Sequence, residues 1–176
     1  MIMDDDTKEH IKAAAEWLCD SNGKLGFMMT GLYGNGKTTL LKAMCSLIDY
    51  LYDSACSSER KSVKIITAKE IAKMCIDKER QDSYKSLFNE ELLAIDEVGE
   101  EPAEIISYGM VHTPIRDLLE ERYKRQKVTI ITTNLVQSEK KQLFQIRDHY
   151  GERVVDRFRE MMKIVPFHNE SYRKNQ

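Results

Sequence analysis

Little in this chain suits a membrane, an export route or a metal clamp. No apolar stretch approaches the ~20 residues needed to span a bilayer. The acidic run Asp4-Asp5-Asp6 is unlike the basic opening of a signal peptide. Cysteine is sparse: Cys19, Cys45, Cys56 and Cys75 stand far apart, three of them on apolar helical faces, and no Cys-x-x-Cys pair occurs. The four histidines show no ligand spacing either. Reduced core thiols are thereby the better reading than a disulfide framework or a zinc site, with the expectation of a cytoplasmic protein. Repeats and low-complexity tracts are missing. So is charge of one sign: 27 Lys and Arg against 29 Asp and Glu give a formal net charge of −2. Contact with nucleic acid would need a local basic patch, because there is no global positive field. A length of 176 residues fits a single domain with a real core.

What is present is a phosphate-binding loop. Residues 31–38 read Gly-Leu-Tyr-Gly-Asn-Gly-Lys-Thr, matching G-x-x-x-x-G-K-[ST] with a further glycine at Gly34. Gly31, Gly34 and Gly36 let the backbone curl so that successive N–H groups face phosphate oxygens. Lys37 would reach the β- and γ-phosphates of ATP, and Thr38 would sit on Mg²⁺. Asn35 and Thr39 complete the loop positions assigned to nucleotide. The context fits, since Leu25 to Thr30 reads as a short buried strand. Leu40, Leu41, Met44, Cys45, Leu47, Ile48 and Leu51 then follow at helical spacing.

Strands and helices alternate along the rest. A first helix is expected over 7–19, with Ile11, Ala14, Ala15 and Leu18 on its buried face. A polar, serine-rich loop spans 54–62. A second strand over 63–66 leads to Thr67, which opens a helix with Glu70 completing a capping box. Leu92 to Ile95 reads as a strand covered on both faces. Thr113-Pro114 opens a helix carrying Ile115, Leu118, Leu119 and Tyr123. Residues 128–133 are a β-branched strand, two short helices separated by Gly151 follow, and 163–167 is a last strand. This order predicts an α/β fold of the P-loop type, with a parallel sheet between helical layers.

Two carboxylates, Asp96 and Glu97, end the third apolar strand, at the sheet edge where α/β folds bind ligands. Asp96 suits Mg²⁺ and Glu97 suits activation of an attacking water. The competing reading is an ordinary acidic turn. Asn134 ends the next strand, where it either positions water near the γ-phosphate or serves as a turn residue. Arg153 and Arg157 lie four apart on the polar side of a helix. They either form a salt-bridged surface with Glu152, Asp156 and Glu160 or serve a neighbouring subunit's ATP. Arg122, Lys124, Arg125 and Lys127, with Lys140 and Lys141 beyond, form basic runs that either stay solvated or contact single-stranded DNA. Trp17 is read as packing the first helix onto the domain, and His112 as part of a helix entry.

Taken in order, these segments resemble the AAA+ superfamily and, within it, the DnaC/IstB group of helicase loaders and transposition ATPases. The resemblance rests on Gly31–Thr38, Ile95-Asp96-Glu97-Val98-Gly99, Thr132-Thr133-Asn134-Leu135, Gly151-Glu152-Arg153-Val154-Val155-Asp156-Arg157-Phe158 and Ser171-Tyr172-Arg173. It implies a three-layer AAA+ domain with a five-stranded parallel sheet over 1–176. Residues 1–24 would hold the first helix, and 163–176 the last strand and tail. The implied roles are Walker B for Asp96 and Glu97, sensor 1 for Asn134, an arginine finger for Arg157 and a sensor-2-like contact for Arg173. The implied cofactors are ATP and Mg²⁺. The implied partners are a replicative helicase or a transposase, single-stranded DNA and further copies of the chain assembled by ATP. Only about thirty residues precede Gly31, so the helicase-gripping N-terminal region of such loaders is expected to be absent.

Overall fold

The computed structural model describes residues 4–54, 62–135, 142–169 and 171–172. Seven strands and seven helices occur among them. In chain order they are α1 (Asp5–Cys19), β1 (Gly26–Gly31), α2 (Lys37–Ser54), β2 (Lys64–Thr67), α3 (Ala68–Ile76), α4 (Gln81–Ser86) and β3 (Leu92–Val98). Then come β4 (Ile105–Ser107), β5 (Met110–His112), α5 (Pro114–Lys124), β6 (Val128–Thr133), α6 (Gln142–Tyr150), α7 (Glu152–Met161) and β7 (Met162–Phe167). Five strands form one sheet in the order β2-β3-β6-β1-β7, and every pairing in it is parallel. The predicted parallel sheet is therefore found, with all five expected strands in it.

Strand alternation divides the core. Phe27, Met29, Ala94 and Ile130 join Trp17, Leu41 and Met44 on one side. Met28, Leu93, Ile95 and Ile131 join Ile71, Leu118 and Phe158 on the other. Successive side chains of a strand leave by opposite faces, so a sheet with near-continuous apolar strands must be covered twice. Helices α1 and α2 cover one face, and α3, α5 and α7 the other. The result is the three-layer domain. Its parallel strands end at one edge, which collects the phosphate loop after β1, Asp96 and Glu97 in β3, and Asn134 after β6.

Several elements differ from their sequence patterns. In α1 the buried face is Thr7, His10, Ala14 and Trp17, whereas Ala15 is exposed. Polar-capable rings win these places because they find partners. His10 reaches the Pro166 carbonyl at 3.1 Å and stacks on Phe167, and Trp17 donates to the Lys24 carbonyl at 2.6 Å. Trp17 packs on Phe27 as expected. In α2, Leu47 and Leu51 are exposed. Seven apolar positions take up more of the helix than one sheet face can cover. Thr67 caps α3 through the Glu70 N–H, while the Glu70 carboxylate pairs with Arg80. The serine-rich stretch falls mostly outside the described residues, as does Cys56.

Two elements carry no expectation at all: α4 and the β4–β5 hairpin. The hairpin turns on Tyr108 and Gly109, both at positive φ, the geometry of a two-residue primed turn. Tyrosine is an unusual residue there, which hid the turn. Ile106, Tyr108, Met110 and Val111 are exposed along it. Lys78 lies over the Tyr108 ring.

Candidate nucleotide-binding site

The phosphate loop is shaped by its glycines and braced by β7. Gly31, Gly34 and Gly36 all have positive φ. At Gly31 a Cβ would come within 2.3 Å of the Phe167 carbonyl oxygen, so no side chain fits between loop and strand. Asn35 is buried and donates to that same carbonyl at 3.1 Å. Asn169 donates to the Asn35 carbonyl, and the Tyr172 N–H to the Gly34 carbonyl at 3.0 Å. Asn35 thus braces the loop, with its side chain committed to β7 and to Lys37. Thr39 is exposed in the first turn of α2.

Lys37 is buried and its ammonium donates to the Gly31 and Leu32 carbonyls and to Asn35 Oδ1, at 2.8, 2.7 and 3.0 Å. Burial lowers its pKa to about 8, partly offset by the charge of Asp96. The ammonium is held inside the loop that would receive phosphate.

Across the sheet, Thr38 Oγ1 donates to Asp96 Oδ1 at 3.0 Å. Thr132, on β6, also donates its hydroxyl to Asp96. Asp96 is buried and paired to strand and loop at once. A hydroxyl and a carboxylate brought together at the foot of a phosphate loop are the oxygen donors that Mg²⁺ takes alongside phosphates. The donor set fits the ion.

Glu97 sits on a β-bulge. Ile95 is aligned with Ile131, yet the next aligned pair is Val98 with Thr133, so Asp96 and Glu97 together oppose Thr132. The Glu97 N–H bonds the Thr132 hydroxyl at 2.9 Å, and its φ is +59°. On a regular strand Asp96 and Glu97 would point to opposite faces. The extra residue breaks that alternation and re-aims the second carboxylate, the usual consequence of a bulge beside a site. Charge on Glu97 helps raise the pKa of the Tyr33 phenol in the phosphate loop, after the larger effects of Glu100 and burial. Asn134 follows β6 at the same edge, its amide 3.4 Å from Glu100.

A family model described as IstB-like ATP binding protein matches residues 13–176. The chain belongs to this family. No curated protein matches it in sequence. Among solved structures, the DnaC helicase loader superposes with a TM-score of 0.68 at 20% identity, over 95% of this chain and 93% of that one. A putative primosome component from Streptococcus pyogenes serotype M3 gives 0.67 at 18% identity, over 97% and 84%. AMPPCP-bound DnaA from Aquifex aeolicus gives 0.63 at 17% identity, over 98% of this chain and 50% of that one. At such identities the likeness speaks for the fold, which is that of an AAA+ P-loop NTPase. The ligand of the IstB-like domain is ATP.

The remaining residues of this IstB-like chain are distributed less evenly about the site. Arg157, on α7, has its Nη1 2.7 Å from Glu120 on α5, an ion pair by distance that is not aligned as a hydrogen bond. Its guanidinium also lies 5.3 Å from the centre of the Tyr123 ring. The side chain is only 13% exposed, against 73% for Arg153 one turn earlier. The structure therefore brings neither arginine to the phosphate loop of its own domain. Arg173, Lys140 and Lys141 lie outside the described residues.

Arg122 needs correcting outright. It belongs to the basic run, yet it is fully buried. Its guanidinium donates to the carbonyls of Leu87, Glu90 and Val128 and to Thr129 Oγ1, at 2.7 to 2.9 Å. Such a residue clamps α5 to β6 and cannot meet DNA. Lys124, Arg125 and Lys127 form ion pairs with Glu121 and Glu91, as a solvated face would.

Proposed function

We propose that this IstB-like domain hydrolyses ATP with Mg²⁺ and uses the cycle to assemble on single-stranded DNA or a replicative helicase. The observation that carries the hydrolytic part is the bulge that presents Asp96 and Glu97 together. Asp96 and Thr38 hold the ion, which when bound shields the phosphate charge. Lys37 and the loop N–H groups hold the phosphates. Glu97 takes the proton of the attacking water, and Asn134 orients that water. An arginine of α7 completes the site of a neighbouring copy. Arg157 matches the family's arginine box and would have to exchange Glu120 for phosphate, whereas the more exposed Arg153 is the second candidate.

Support for the loader role comes from the superposition on a helicase loader over nearly the full length of both chains. Membership of the IstB-like family leaves a second reading open, in which the domain is the partner of a transposase and acts on duplex DNA. One variant and one comparison test both parts. Glu97→Gln is expected to bind ATP normally and to cut turnover by ~10²-fold or more, the scale of a lost general base. Binding of that ATP-trapped variant to single-stranded against duplex DNA then separates the two roles, a loader preferring single strands and a transposase partner preferring duplex. Normal turnover in Glu97→Gln would remove Glu97 as the base, whereas negligible wild-type turnover, with nucleotide lifetime and partner binding unchanged in Glu97→Gln, would make the domain an ATP-gated adaptor.

A further inference from the structure

Glu100 lies three residues past the Walker B glutamate and belongs to neither motif, yet several parts of the ATP site converge on it. Its backbone N–H bonds the Glu97 carbonyl at 3.1 Å, which ties the turn to the bulge. Its carboxylate accepts from the Tyr33 hydroxyl at the tip of the phosphate loop. The Asn134 Nδ2 lies 3.4 Å from the same carboxylate oxygen, and Lys69 of α3 approaches the other at 3.5 Å. The Tyr33 hydrogen bond is the main reason the Glu100 carboxyl stays below its ordinary range, with Asn134 and Lys69 adding to it. It is an anion at neutral pH.

This arrangement has a chemical consequence for Asn134. A carboxylate only accepts, so the amide must turn its NH₂ toward Glu100, and Oδ1 becomes the end left to accept. An acceptor is what an attacking water needs in order to be held with a lone pair directed at phosphorus. Tyr33 then fixes the carboxylate that fixes the amide. We propose that Glu100, held by Tyr33 and Lys69, is a positioning residue that sets the orientation of the Asn134 amide for hydrolysis. The inference rests on the hydrolytic reading given above.

The test is a double-mutant cycle on ATP turnover, with nucleotide affinity measured alongside. Glu100→Ala is expected to lower kcat by about tenfold and to leave ATP affinity within about threefold, because the contact is made to a water-orienting group and not to nucleotide. Tyr33→Phe keeps the ring and should show a smaller loss of the same kind. In an Asn134→Ala background, Glu100→Ala should cost almost nothing further, since the residue acts through the amide. Additive losses, an equal fall in affinity, or unchanged kcat in Glu100→Ala would overturn the proposal. Glu100 is partly solvent-exposed, so its replacement opens no core cavity, and Tyr33→Phe supplies a second variant with intact packing. If Glu97→Gln and Asn134→Ala also turn over normally, the hydrolytic reading falls. If those two fail while Glu100→Ala does not, only the positioning role falls.

Discussion

Lys37 shows how one residue can be both structural and reactive. Its ammonium is satisfied by two loop carbonyls and Asn35, but burial leaves its pKa at about 8. Bound phosphate favours the charged form. Below that pKa the lysine already carries its proton, and affinity should be flat with pH. Above it each binding event must take a proton from solvent, so affinity falls as pH rises, by at most about tenfold per unit. Nucleotide titrations from about pH 7 to about pH 9.5 check this, with Lys37→Ala expected to lose the slope. A flat wild-type profile would mean that the loop keeps the ammonium charged. The residue types at this site were readable in advance, since the spacing of Gly31, Gly36, Lys37 and Thr38 already implies a phosphate cradle. The inward commitment of Asn35 was not readable, because its partner Phe167 lies 132 residues away.

Elements follow the same division. Short apolar and β-branched runs announced the five sheet strands, and the buried threonines of β6 are tolerated because their hydroxyls find partners. The β4–β5 hairpin stayed hidden because its turn is Tyr-Gly where Asn-Gly would be the usual signal. The bulge at Glu97 was invisible, since nothing in four apolar residues and two acids specifies register. Arg122 misled for a physical reason: a cation in a run of cations reads as solvated. Here three carbonyls and a hydroxyl pay for its burial. Arg122→Met keeps most of the volume and leaves those acceptors unmatched inside the core. We expect a loss of at least ~3 kcal/mol, summing several unsatisfied buried groups. Urea unfolding measures it, and a cost near that of a surface substitution would show that water replaces the guanidinium.

At the scale of the whole molecule, the fold gathers the phosphate loop, Asp96, Glu97 and Asn134 at one sheet edge, but it keeps the α7 arginines away from their own phosphate loop. Arg157 is held by Glu120 and Tyr123, and Arg153 extends into solvent. On the function proposed above, a second copy finishes the site. Completion of the site by assembly is read from ATP turnover per subunit across a range of protein concentration, with and without single-stranded DNA. The specific rate is expected to climb with concentration and to rise further when single-stranded DNA is present. A low rate that is flat with concentration and indifferent to DNA would contradict it.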